Sequence, residues 1–190
     1  MRIQVAPVGQ GPIADLGSSV RTVAPDAEGR FSLAGVPPGK YRVSTSLTPP
    51  GWTLKSSIVA GQDTLDLPLD VKAGENVAGA ALTLSNQPTV VSGTLLGPTG
   101  QPSADYTVVI FSTENRFWVP QSRRIQATRP GTDGRFAVRG LPAGEYRLVA
   151  VSDIEPGQWY DPALLRQLFA SSIELTLADG ERKTQDVRVR

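Results

Sequence analysis

The chain contains no cysteine and no histidine. That removes a disulfide framework, the usual zinc and haem sites, and every nucleophile that depends on a His base. A surplus of one charge is also absent. Nineteen basic and 18 acidic residues leave a net charge of +1. Residues 1–89 carry 7 basic and 7 acidic side chains, and the remainder carries 12 and 11. Neither part has the excess a nucleic-acid or anionic-lipid binder needs. No apolar run approaches the roughly 20 residues of a membrane helix. The start, Met1-Arg2-Ile3-Gln4-Val5, lacks the apolar region of a signal peptide. Aromatic residues are scarce at 6%, so each of the three Trp needs a reason.

Gly and Pro are plentiful. Nineteen Gly and 16 Pro in 190 residues make about 18%, below the roughly 25–30% of aperiodic disordered segments. A chain of this length buries roughly 70% of its unfolded surface. A packed core is therefore expected without staples.

A repeat organises the sequence. Glu28-Gly-Arg-Phe-Ser-Leu-Ala-Gly-Val-Pro-Pro-Gly-Lys-Tyr-Arg-Val43 matches Asp133-Gly-Arg-Phe-Ala-Val-Arg-Gly-Leu-Pro-Ala-Gly-Glu-Tyr-Arg-Leu148 at an offset of 105, with 8 of 16 positions identical. Val71-Lys-Ala-Gly-Glu75 matches Leu177-Ala-Asp-Gly-Glu181 at 106, and Leu82/Leu84 match Val187/Val189 at 105. Internal similarity of this kind marks two copies of one fold unit. The polar stretch Ser85–Thr89 joins them, giving expected domains 1–86 and 87–190.

Within each copy, Phe31 and Leu33, Phe136 and Val138, and Tyr41 and Val43 alternate with polar or small residues. That period of two predicts strands with one buried face. Between them lie Gly-Val-Pro-Pro-Gly and Gly-Leu-Pro-Ala-Gly, where Pro presets φ and Gly supplies φ > 0. Tyr41 and Tyr146 follow these turns much as a tyrosine corner does in β-sandwiches. Further strands are expected over 3–7, 19–24, 53–59, 77–84, 90–96, 106–112, 124–128, 172–177 and 184–189. Asp161-Pro162 supplies an N-cap and first-turn proline for one short helix over 161–170, expected across one end of the second domain. The fold class is all-β: two tandem Ig-like or transthyretin-like sandwiches, with that single helix in the second.

The copies differ at their start. The second opens with Val90–Leu96 and the turn Gly97-Pro98-Thr99-Gly100-Gln101-Pro102. The first has no counterpart, and its Ile3–Pro7 aligns with the later strand at 106–112. A sandwich without its opening strand has an unpaired edge, which proteins normally cover. The expectation is a natural chain that continues upstream of Met1. The bland alternative is a shorter domain.

Asp-Gly-Arg-Phe followed by Gly-Leu-Pro-Ala-Gly-Glu-Tyr-Arg-Leu resembles the carboxypeptidase regulatory-like domain, of the transthyretin-like (prealbumin-like) β-sandwiches. Ser92-Gly93-Thr94 with Gly100-Gln101-Pro102 fits that family's first hairpin. Val109–Trp118, Arg123-Arg124-Ile125, Thr132–Val151, Glu155–Trp159 and Asp161-Pro162 look like the C-terminal end of large exported bacterial proteins. The resemblance implies a non-catalytic module that is secreted, periplasmic or on the cell surface. It implies no peptidase activity and no cofactor. Its partners would be other domains of a longer chain, with a glycan or protein at the envelope. The related collagen-adhesin B-type domains carry isopeptide bonds, but Lys40, Lys72, Asn76, Asn86 and Asn115 fall in turns or linkers.

Two acidic groups, Asp63/Asp66/Asp70 and Asp153/Glu155/Asp161, have the residue type for glycosidase or calcium chemistry. Eighteen acids give such groupings by chance, and the bland reading is turn acids plus a helix cap. The aromatic loops are the sharper candidate. Phe117, Trp118, Arg123 and Arg124 lie in one loop, and Trp159 and Tyr160 precede the helix. Trp52 follows Pro49-Pro50-Gly51. Exposed Trp beside Arg would suit sugar rings or a partner's side chains. The alternative is that these rings cap the sandwich and pack the helix against Phe117.

Overall fold

The computed structural model describes residues 1–8 and 20–189. They form two compact units, Met1–Asn86 and Gln87–Arg190. Both are β-rich, as their period-two patterning requires.

The first unit contains β1 (Arg2–Pro7), β2 (Arg21–Val23), β3 (Gly39–Ser46), β4 (Thr53–Val59), β5 (Gln62–Asp63), β6 (Leu69–Val71) and β7 (Ala81–Ser85). One sheet runs β2-β1-β3-β6 and the other β5-β4-β7. Ile3 and Val5 alternate with Gln4 and Ala6, so only one face of β1 is apolar. That face meets Tyr41, Val43, Val59 and Val71 in the core.

The second unit contains β8 (Val90–Leu96), β9 (Thr107–Ser112), β10 (Ile125–Thr128), β11 (Arg135–Arg139), β12 (Gly144–Val151), α1 (Pro162–Phe169), β13 (Ile173–Leu177), β14 (Arg182–Thr184) and β15 (Val187–Arg188). Its first sheet, β10-β9-β12-β13, repeats the order β2-β1-β3-β6. The registers agree: Val5 pairs with Val43, and Ile110 pairs with Leu148. Its second sheet is built around β8, antiparallel to β11 and parallel to β14 and β15.

All six residues of β9 are buried. Val108 and Ile110 join the sandwich core with Val91, Leu95, Phe136, Tyr146 and Leu148. Val109 and Phe111 point to the other face, where Leu165 of α1 covers them with Trp118, Ile125, Val149 and Ile154. The helix therefore lies on the outer face of the sheet, not across one end as expected from sequence. The apolar run Val108-Val109-Ile110-Phe111 requires this, because a strand apolar on both sides must be covered on both. Asp161 caps α1 by accepting from Ala163 N at 2.8 Å, and Pro162 starts it.

Two sequence expectations in the first unit fail. Residues 24–38 contain no strand, although Phe31 and Leu33 predict one. The strand expected from Val77 begins only at Ala81. The physical reason lies in the second unit. There the matching segments are β11 and β14, and both owe their ladders to β8. Among the described residues, the first unit has no strand equivalent to β8. The strand expected over 19–24 is seen as Arg21–Val23, and Ser19 lies outside the described residues. Short β5 and β6 were not expected at all. They are too short to show a period.

Candidate functional site

The loop between β9 and β10 holds four of the six predicted binding residues. Phe117 and Trp118 turn inward, at 4% and 5% exposure. A short 3-10 turn, Asn115–Phe117, delivers both. Trp118 packs edge-on against Phe111, with ring centroids 5.8 Å apart. Its Nε1 donates to the Ser112 carbonyl at 2.7 Å, so the polar end of the ring is satisfied inside. Phe117 is flanked by guanidinium groups of Arg116 at 4.6 Å and Arg124 at 4.5 Å. Arg124 Nη1 also donates to the Ala143 carbonyl at 3.2 Å. These three side chains tie the loop to the turn before β12 rather than offering a free face. Arg123 is half-buried, and its carbonyl accepts from Gln126 Nε2 at 3.3 Å.

Trp159 and Tyr160 sit on the turn Gln158–Tyr160, which follows Gly157 and leads into the Asp161 cap. Both rings are half-buried and pack on the cluster that contains Trp118 and Leu165. Their centroids are 6.1 Å apart. The structure thus gathers Trp118, Trp159 and Tyr160 under and beside α1, with outward surface left only on the last two. In the first unit Trp52 stays exposed, on a turn closed by its own N–H to the Pro49 carbonyl.

The acidic groups have structural partners. Asp63 Oδ1 accepts from Ser57 N at 3.0 Å and Leu65 N at 3.1 Å. Asp66 is buried and Asp70 exposed. Among the described residues, no three His, Cys, Asp or Glu converge on a metal position. Lys183 Nζ donates to the Thr176 carbonyl at 2.7 Å.

A concavity lies in the first unit, where sequence reasoning named no site residue. A cleft of about 690 Å³ runs between residues 29–36 on one side and 75–80 on the other. Val5, Val43, Val59, Leu69 and Val71 line it, with Phe31, Leu33 and Val36. By the repeat offsets, its two walls correspond to β11 and β14, between which β8 lies in the second unit. Paired glycines report the difference. A Cβ on Gly134 would stand 2.7 Å from the Leu95 carbonyl oxygen of β8, but on the matching Gly29 it would meet nothing within 4 Å. Gly180 would approach the Gln87 carbonyl at 3.3 Å, whereas Gly74 again meets nothing. Gly140 N–H donates to the Thr89 carbonyl. The signal for this cleft was present in the sequence, as the missing opening strand.

No protein-family model matches the chain. No curated protein matches it either. Solved structures do. A streptococcal ancillary pilin matches at 14% identity over 99% of this chain and 61% of its own, with a TM-score of 0.39. A minor pilin of Streptococcus agalactiae matches at 13% over 98% and 81%, with a TM-score of 0.35. A DUF3823 family protein from Parabacteroides merdae matches at 15% over 53% and 45%, with a TM-score of 0.32. The chain spans about three fifths of the ancillary pilin's length.

Proposed function

We propose that this chain is a non-catalytic structural module of an exported or cell-envelope bacterial protein, built from two carboxypeptidase regulatory-like sandwiches that space or present neighbouring domains. One observation carries the reading: the same device occurs twice, 105 residues apart. In each copy a Gly-x-Pro-x-Gly turn is locked by a Tyr that donates to the carbonyl four residues back. Tyr41 Oη reaches Pro37 at 2.9 Å, and Tyr146 Oη reaches Pro142 at 2.7 Å. The same four-strand order follows in both units. Repeating a scaffold, with polar chemistry spent on turns and caps, suits spacing better than turnover. Cell fractionation of the native host, with a glycan array probed by the purified chain, tests it. Envelope or medium location with no glycan bound is expected. A cytoplasmic location would overturn the reading.

A second reading is a carbohydrate- or peptide-binding module. Its support is narrower than six residues: Trp159 and Tyr160 keep half-open rings, with Arg123 half-open as well. Reproducible glycan binding, lost in a folded Trp159→Ala variant, would favour it.

A further inference from the structure

We propose that the second unit is a load-bearing clamp: its first and last strands are paired so that tension along the chain meets them in shear. β8 opens the unit, and β14 and β15 close it. They lie side by side and run the same way. A pull on the chain before Val90 draws β8 backward. A pull on the chain after Arg188 draws β15 forward. The strands can then part only by sliding past each other, so the whole ladder carries the load at once. Peeling would break the same ladder one bond at a time. Forced unfolding is set by the barrier to leaving the native state, and bonds that must fail together raise it most.

The register holds along the full length of β8. Val90, Val91 and Ser92 pair with Arg182, Lys183 and Thr184, and Leu95 and Leu96 pair with Val187 and Arg188. Val90 N–H donates to the Glu181 carbonyl at 2.8 Å, Gln185 N–H to the Ser92 carbonyl at 2.8 Å, and Val189 N–H to the Leu96 carbonyl at 2.9 Å. Between β14 and β15 the Asp186 side chain completes the row, its Oδ1 accepting from Thr94 N at 2.7 Å. A carboxylate acceptor makes this a strong bond. Gly93 lets the strands close up, since a Cβ there would collide with the Gln185 carbonyl. Sliding also disturbs the core. Val91 and Leu95 are fully buried with Val187 beside them, and β11 holds the other edge of β8. A one-residue slip would turn Val91 and Leu95 to the wrong face. The source of the load rests on the spacing role proposed above, whereas the clamp itself is a property of the ladder.

Single-molecule pulling on the full chain tests the clamp. One handle is fused after Arg190, and the other sits on a single introduced cysteine, since the chain has none of its own. With Asn86→Cys the load runs along β8 and β15 in shear. With Thr99→Cys, in the turn after β8, both handles leave the same end of the ladder and peel it. Both positions are exposed. At one pulling speed the Asn86 handle should need about twofold or more the force of the Thr99 handle. Asp186→Ala should lower the first force by roughly a fifth and leave the second unchanged, and Asp186→Asn, which keeps an acceptor, should restore it. If Asp186→Ala fails to fold, the comparison of the two handles decides alone. Equal forces from the two handles overturn the proposal. So does a shear force that a folded Asp186→Ala variant leaves unchanged. Neither failure touches the envelope reading, which cell fractionation judges separately.

Discussion

Phe136 and Phe31 occupy equivalent places in the repeat, follow the same Gly-Arg pair, and precede the same turn. Phe136 lies on β11 at 5% exposure. Phe31 lies on a segment with no strand and stays half-exposed, as do Leu33 beside Val138 and Val36 beside Leu141. The turn leading into each is the same. Asp26 N–H donates to the Arg30 carbonyl at 2.9 Å, and Gly131 N–H to the Arg135 carbonyl at 2.9 Å. The tyrosine locks are also the same. Turns and locks are local and form wherever their residues stand. A strand is not local, and without its neighbour the same residues make none.

Substitutions made in pairs, one per unit, sharpen this contrast. The largest expected difference is at the phenylalanines. Phe136→Ala removes a buried ring and should cost about 3–5 kcal/mol of the second unit's stability. Phe31→Ala should cost less than half of that in the first. Hydrogen exchange along β12 and β3 in the full chain reads the two units separately. Equal losses would break the comparison.

The glycine pair comes next. Gly134 and Gly29 both have positive φ, +74° and +81°. Alanine therefore carries a backbone cost of about 1–2 kcal/mol at either place. Only Gly134→Ala adds a collision with the Leu95 carbonyl and Pro102. Its loss should exceed that of Gly29→Ala by about 1–3 kcal/mol in denaturant unfolding. The tyrosine pair should show the smallest difference. Tyr41→Phe removes the bond to the Pro37 carbonyl, and Tyr146→Phe removes the bond to the Pro142 carbonyl with a long 3.5 Å bond from Arg124 Nη1, for about 0.5–1.5 kcal/mol each. Matching losses would show that the lock works independently of β8.

Much of the fold was legible because it rests on local signals. The period of two gave β3 and β11, and Asp161-Pro162 gave the helix start. What sequence reasoning misplaced depends on distant partners. Phe31–Leu33 has strand periodicity and, among the described residues, pairs with no strand. The helix was expected at an end because its cover, the outward Val109 and Phe111, belongs to a strand some fifty residues earlier. The aromatic loops were found as clusters, but spacing does not say which way a ring turns. Trp118 turns in because Ser112 offers its carbonyl beside Phe111. The cleft was legible only as a difference between the copies, the second opening with Val90–Leu96 and the first, as given, without a counterpart.

Hydrogen exchange of the free chain tests the difference between the two repeats most directly. Amides of Phe31–Ala34 and Phe136–Arg139 are each compared with their own unit's central strand, β3 or β12. The first set should exchange about a hundredfold or more faster relative to β3 than the second does relative to β12. Equal relative protection of the two segments would contradict it.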